Sequence, residues 1–276
     1  MELSFYPGCT AHSTAWEFTK STEAVFAALG HELKEIEDWN CCGGASAKVV
    51  DKMLSLGLPA RNLLIAQREG RTLIAPCAGC FNNVRRALTA YEDGGEVAKA
   101  LEEALGEKWK GEIEVWSLVD FFDREGAMEE IAAKVKKPLE GLKVVAYYGC
   151  QMVRPPRVVG SKDWENPTAL ERAAEAVGAT AIEWSYKVDC CGADLGISHG
   201  GHCADICTKL GEEAVKAGAD AIVVSCGLCQ ANLDMRQAKT NLPVLYITEL
   251  IGEAFQCEGR QKWWKKHLTD PSGLFK

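Results

Sequence analysis

The chain has 276 residues, with 47% hydrophobic and 25% charged side chains, an ordinary globular composition that excludes long disorder and low complexity. No apolar run is long enough to span a membrane, and the N-terminal MELSFYPGCT lacks the pattern of a secretory signal, so a cytoplasmic chain is expected. A formal net charge of −8 argues against nucleic acid as a partner. Thirteen cysteines, an odd number, exclude a complete disulfide framework and point to metal or redox chemistry.

In chain order, Leu3–Tyr6 reads as a short strand, Ser13–Leu29 as a helix closed by Gly30, and Glu32–Trp39 as a second strand. A helical stretch over Ala45–Glu69 is expected to break near Gly57–Pro59. Thr72–Ala75 is a third strand, a helix follows Cys80, and Glu112–Trp116 is a fourth strand. The polar link Lys134–Gly141, with Pro138, marks a boundary. Beyond it come a strand at Leu142–Tyr148, a helix at Thr168–Val177, a strand at Thr180–Trp184 and a helix at Gly201–Ala217. A strand at Ala221–Val224, a helix after Cys229, a strand at Val244–Ile247 and a helix at Thr248–Phe255 complete the series. Alternating strands and helices predict an α/β fold of two similar halves, residues 1–138 and 139–276, each a mainly parallel sheet flanked by helices.

The cysteines repeat with the elements. Cys9, Cys41, Cys42, Cys77 and Cys80 are answered by Cys150, Cys190, Cys191, Cys226 and Cys229. In both copies 34 residues separate the adjacent pair from the CxxC, whereas 31 and then 39 separate the first cysteine from the pair. The flanks match as well: FYPGC with YYGC, CCGG with CCGA, and CAGCFNN with CGLCQAN, which makes Asn83 and Asn232 equivalent. Duplication accounts for this. Each cysteine motif follows a strand, or in the CxxC case opens onto a helix, so all should gather at the carboxyl ends of the strands, where open α/β sheets bind ligands. A structural zinc ion takes four ligands in a tetrahedron, and each copy offers five thiols, two of them adjacent. Iron–sulfur ligation suits that set better. One zinc per copy with a spare cysteine is the alternative.

The doubled pattern resembles the CCG-type cysteine-rich domain family, and more widely the B subunit of heterodisulfide reductase. The wider likeness lies in RPPRVVG at Arg154–Gly160, ENPTAL at Glu165–Leu170, WSYKVDCCGAD at Trp184–Asp194 and CGLCQANLDMRQ at Cys226–Gln237. The resemblance implies two α/β halves, each holding a noncubane [4Fe-4S] cluster. One cluster would lie on Cys9, Cys41, Cys42, Cys77 and Cys80, the other on Cys150, Cys190, Cys191, Cys226 and Cys229. It further implies reduction of a disulfide, in methanogens that of coenzyme M and coenzyme B. The implied setting is a complex with a small ferredoxin-like protein and a flavin-containing protein, the C and A subunits of that enzyme. The substrate is expected between the clusters, each sulfur receiving one electron. A CCG-type electron-transfer subunit of a quinone-linked dehydrogenase, or a zinc-bearing scaffold, are the rival readings.

Other residues read more plainly. His12 and Arg154 are polar side chains near Cys9 and Cys150 that could meet an anion, but read as solvated or helix-end groups. Asn83 and Asn232 would bond the bound group or cap a turn. Lys187, near the second cysteine pair, could offset the charge of a bound cluster but reads as a surface lysine. His199, His202, Cys203 and Cys207 suggest a third metal site, against which stands burial of both cysteines as small core residues, the reading also given to Cys257. Gly43-Gly44 is no phosphate loop, and the absence of GxGxxG after a strand predicts no nucleotide here. Trp263-Trp264, among Lys262, Lys265 and Lys266, reads as an amphipathic membrane contact or a subunit interface.

Overall fold

The computed structural model describes residues 1–275. The first half runs β1 (Glu2–Phe5), α1 (Trp16–Leu29), β2 (Glu32–Glu35), α2 (Ser46–Val50), α3 (Lys52–Glu69), β3 (Leu73–Ile74), α4 (Ala78–Asp93), α5 (Gly95–Leu105), β4 (Val115–Trp116), α6 (Leu118–Asp123) and α7 (Ala127–Ala132). The second runs β5 (Lys143–Tyr147), α8 (Cys150–Val153), α9 (Pro156–Val159), α10 (Ala169–Ala176), β6 (Thr180–Ala181), α11 (Gly200–Lys216), β7 (Ala221–Val224), α12 (Gly227–Arg236), β8 (Val244–Tyr246), α13 (Ile247–Ala254) and α14 (Arg260–Trp264).

Each half is a four-stranded parallel sheet flanked by helices, with strand orders β2-β1-β3-β4 and β6-β5-β7-β8. The central strands are apolar because helices cover both faces: all four residues of β7, Ala221–Val224, are buried. The edge strand β2, sequence ELKE, exposes both glutamates, and such charges discourage further strand pairing. Strand order reverses between β1 and β3, and again between β5 and β7, which opens a crevice at their carboxyl ends.

Two helical expectations shift. The break in Ala45–Glu69 falls at Asp51, not at Gly57–Pro59. Asp51 takes an extended conformation and its carboxylate accepts the Leu54 N–H at 2.7 Å, an N-cap that starts α3 afresh, while Pro59 lies inside that helix. The helices expected after Cys80 and Cys229 begin earlier, with Cys77 and Cys226 as their N-caps, so the second cysteine of each CxxC sits in a first helical turn. Helices α5, α6 and α7 were not anticipated from the sequence.

The halves grip each other reciprocally. Helix α1 packs against α13 and α14 of the second half, and α10 packs against α6 and α7 of the first. The buried Ser21 and Thr248 hydroxyls are 2.7 Å apart, and Phe18 stacks on Tyr246 with centroids 4.2 Å apart. Trp263 is buried, so close beneath α13 that a Cβ on Gly252 would lie 2.7 Å from its ring. That corrects the expectation of a surface amphipathic contact. Lys262, Lys265 and Lys266 are exposed around it, but the indole that would have served a membrane or partner belongs to the core. No helix among the described residues is long and apolar enough to cross a membrane.

Candidate functional site

The topology brings the ten repeated cysteines to the crevices, five in each half. Cys9 and Cys150 follow the central strands β1 and β5, the adjacent pairs follow β2 and β6, and the CxxC motifs cap α4 and α12. In the first half Cys42 and Cys80 approach to 3.5 Å between sulfurs; in the second Cys191 and Cys229 approach to 3.6 Å. Cys9 is perturbed by neighbouring Cys41, and Cys150 by neighbouring Cys190. Three thiols of each set are buried, while Cys41 and Cys190 are exposed and Cys9 and Cys150 lie towards the mouth. The sets also approach each other: Cys77 and Cys226 are near enough across the interface between the halves to perturb each other's ionisation. Ala78 and Gly79 of the first half then line one cavity with Cys150, Cys190, Cys191, Cys226 and Cys229.

Sharing protons in such sets polarises the thiols. The contact with Cys80 holds Cys42 down to about 6, and that with Cys150 holds Cys190 down to about 6. Cys226 is held well down, first by Cys229 and then by Cys77, whereas its contact with Cys226 pushes Cys77 up to about 12. Burial pushes Cys9 up to about 11. The lowered thiols, Cys42, Cys190 and Cys226, are of the kind that a metal centre recruits as thiolates.

The loops around the sulfurs leave room only for glycine. Gly8 and Gly149 have φ of +78° and +67°, and a Cβ there would lie 2.8 Å from Cys80 Sγ and 3.0 Å from Cys229 Sγ. Two tyrosines overlooked in the sequence hold the adjacent pairs in place. Tyr6 Oη donates to Asn40 O at 2.9 Å, and Tyr147 Oη donates to Asp189 O at 2.7 Å, each to the carbonyl just before a cysteine pair. The signal was present: both stand three residues before the first cysteine of their copy. Asn83 donates to Gly44 O and Cys42 Sγ at 3.1 and 3.4 Å, and Asn232 to Cys191 O at 2.5 Å, which ties each CxxC helix to its CCG loop.

The remaining candidates stand apart. His12 is exposed, bonded to Glu35 at 3.3 Å and stacked on Trp39. Arg154 donates to Val188 O at 2.8 Å and lies over Trp164. Lys187 is no surface lysine: only 3% exposed, it pairs with Glu171 at 2.6 Å, and Glu171 also accepts the Tyr148 hydroxyl. Its charge is neutralised there, and the buried pair satisfies both ions. His199 and His202 are exposed while Cys203 and Cys207 are buried, so these four do not converge. Cys257 is half-buried against Ala24.

Two sulfur-rich crevices on duplicated parallel sheets define a cysteine-rich, redox-type α/β protein. The cysteine-rich domain (CCG) family matches residues 3–85 and 144–234, and the chain belongs to it. It is 32% identical over 282 residues to the 8-methylmenaquinol:fumarate reductase membrane anchor subunit of Wolinella succinogenes, covering 99% of both chains. It is 28% identical over 268 residues to the B subunit of the ferredoxin/F(420)H(2)-dependent CoB-CoM heterodisulfide reductase of Methanosarcina acetivorans, covering 92% of this chain and 89% of that one. It is 25% identical over 267 residues to an Archaeoglobus profundus protein described as like the B subunit of heterodisulfide reductase, covering 91% of this chain and 89% of that one. A solved Helicobacter pylori protein shares the fold, with a TM-score of 0.75 at 15% identity over 98% of this chain; this chain spans about half (52%) of its length.

Proposed function

We propose that this chain is the catalytic subunit of a cytoplasmic heterodisulfide reductase-type complex. It reduces a disulfide of the coenzyme M–coenzyme B kind to two thiols at two noncubane [4Fe-4S] centres. Cys9, Cys41, Cys42, Cys77 and Cys80 would hold one centre, and Cys150, Cys190, Cys191, Cys226 and Cys229 the other, one in each of the domains 1–138 and 139–276. The observation that carries this reading is that the two five-thiol sets lie side by side, with Ala78 and Gly79, next to Cys77, lining the cavity of Cys150, Cys190, Cys191, Cys226 and Cys229. The donor set fits such a group: five thiols per pocket exceed the four that one tetrahedral zinc accepts. Among the described residues, no three Cys, His, Asp or Glu side chains converge as ligands of a single ion.

When bound, such centres supply electrons one at a time, and a disulfide takes two. The chain's own contribution is placement. Ala78, Gly79 and Leu228 give the cavity an apolar wall that excludes water. Gln151 and Asp194, bonded at 3.2 Å on its lining, orient a polar substrate. A ferredoxin-like C subunit and a flavin-containing A subunit would bring the electrons.

A metal and sulfide count on anaerobically prepared protein, followed by disulfide reduction with an artificial electron donor, tests the proposal. About eight irons with matching sulfide, and thiol release, are expected; one or two zincs without iron would overturn it. The 32% identity to the Wolinella fumarate reductase subunit favours a second reading, an electron-transfer subunit of a quinol-linked reductase. Eight irons without disulfide reduction, together with co-purification with a fumarate-reducing flavoprotein, would select that reading.

A further inference from the structure

Six of the twelve large apolar side chains that stand exposed among the described residues fall in two short stretches, each shortly after a cysteine pair. In the first half they are Val49, Val50, Met53 and Leu54; in the second, Leu195 and Ile197. The first stretch is a built corner. Helix α2 lies on the CCG loop: the Ala47 N–H donates to Gly43 O at 3.0 Å, and the Ala47 methyl stands 2.6 Å from where a Cβ on Gly43 would be. Ala47 is the one buried residue of α2, so Val49 and Val50 face water, 88% and 76% exposed. Two β-branched residues in a five-residue helix that buries neither serve neither the helix nor the core. A cluster of apolar surface that the fold does not use marks a place where a partner sits.

The surroundings say which partner. Cys9 and Cys41 are exposed at this mouth, whereas in the second half Cys190 is exposed and Cys150 only partly so. Lys48 and Lys52 stand exposed among the four apolar side chains, and Asp51, the corner's one acidic residue, turns its carboxylate onto the Leu54 N–H. Burial, and then the like charge of Arg86, hold Lys48 below the ordinary lysine range against the opposing Asp194, so an incoming carboxylate would relieve the corner. The matching stretch of the second half, residues 193–197, has no lysine or arginine and carries Asp194. Positive charge around an apolar middle, beside exposed sulfurs, fits an acidic protein.

We propose that the α2–α3 corner is the docking face for an acidic one-electron carrier protein, which reduces the first-half centre at the edge marked by Cys9 and Cys41. This rests on the reading that each half holds an iron–sulfur centre, and it assigns the face on which electrons enter. Each encounter oxidises the carrier by one electron and reduces the centre by one, with no bond made or broken, so one disulfide takes two encounters. Val49 and Val50 form the apolar middle of the contact, and Lys48 and Lys52 steer the encounter from its rim.

Anaerobic stopped-flow mixing of the iron-loaded protein with a reduced acidic ferredoxin tests this, with reduced methyl viologen as a small donor that needs no docking face. Val49→Asp combined with Val50→Asp should slow reduction by the ferredoxin about tenfold or more, with reduction by methyl viologen no slower and the iron count unchanged. Lys48→Glu combined with Lys52→Glu should slow the ferredoxin and flatten the fall of its rate with added salt. Ile197→Asp should slow neither donor. A ferredoxin rate unchanged in the valine variant at full iron overturns the proposal alone, as does an equal loss with both donors, or a loss at Ile197→Asp as large as at the valines. A wild type reduced by methyl viologen but not by the ferredoxin overturns it too. Flotation with anionic phospholipid vesicles that the valine change abolishes, with the ferredoxin rate untouched, would make the corner a membrane contact instead. An iron-free wild type overturns this proposal together with the reading beneath it.

Discussion

Between Cys9 and Cys41 the first half has 31 residues, and between Cys150 and Cys190 the second has 39. The difference is used at the seam between the halves. In the second half the segment after Cys150 folds into α8 and α9 and lies on α4 of the first half. There Asn82 donates to the carbonyls of Gln151 and Arg154 at 2.9 and 2.7 Å, and Arg85 donates to Val158 O at 2.9 Å. In the first half the same place is a tight turn, Thr10–Ala15, against which Gly227 of α12 packs closely. Duplication thus kept the sulfur positions and relaxed the way each half reaches its neighbour. On the proposed reading the sulfurs are constrained by the centre they would hold, and the seam only by complementary packing.

That contrast can be broken most sharply at the sulfurs. Cys42→Ala and Cys191→Ala should each cost about half of roughly eight irons and nearly all disulfide reduction, because each half would hold its own centre. Full iron and full activity in either variant would end the two-centre reading. Gly8→Ala and Gly149→Ala come next. An L residue at these positive φ angles, with its Cβ pressed on a sulfur, should lose about 2–4 kcal/mol in a urea unfolding series. The larger loss is expected at Gly8, where the approach is 2.8 Å rather than 3.0 Å.

At the seam the two reciprocal helix contacts should differ. Ser21→Ala leaves the fully buried Thr248 hydroxyl without its partner and should cost about 1–2 kcal/mol. Arg172→Ala removes an exposed pairing with Asp123 and should cost under about 1 kcal/mol by the same measurement.

The smallest effect separates the halves by pH. Glu249 at the start of α13 accepts from buried His267 at 2.9 Å, whereas Asp120, at the matching place in the first half, bonds Ser117 and no histidine. Burial lowers His267, but the Glu249 bond and charge, with Asp234 and Glu17, outweigh it and leave its pKa raised. A raised imidazole stabilises the fold fully below its unfolded pKa, and that stability is lost as pH rises through the folded value. His267→Gln should therefore flatten the fall in unfolding midpoint on the alkaline side of the ordinary histidine range. An unchanged slope would show that the pair carries no protonation-linked stability.

The parallel α/β class, the duplication and the clustering of ten cysteines at the strand ends were legible in the sequence. Each rests on local, repeated signals: strand-length apolar runs, glycine stops such as Gly30, and motifs at fixed spacing. Element ends were less so. Asp51 rather than Pro59 breaks the helix because a side-chain cap is a local event that composition does not rank. Lys187 and Trp263 were misread because each looked like a surface group, yet their partners Glu171 and Gly252 stand 16 and 11 residues away in the chain and meet them only in the fold.

Linear spacing determined by itself the repeat that matches five cysteines of the first half with five of the eight in the second. Only the tertiary structure decided that the halves grip through α1 with α13 and α10 with α6, that Cys77 comes near Cys226, and that Asn83 and Asn232 tie each CxxC helix to its CCG loop. Those contacts join residues far apart in sequence, set by how two covered sheets bury their remaining apolar faces against each other, and no repeat in the chain encodes that arrangement.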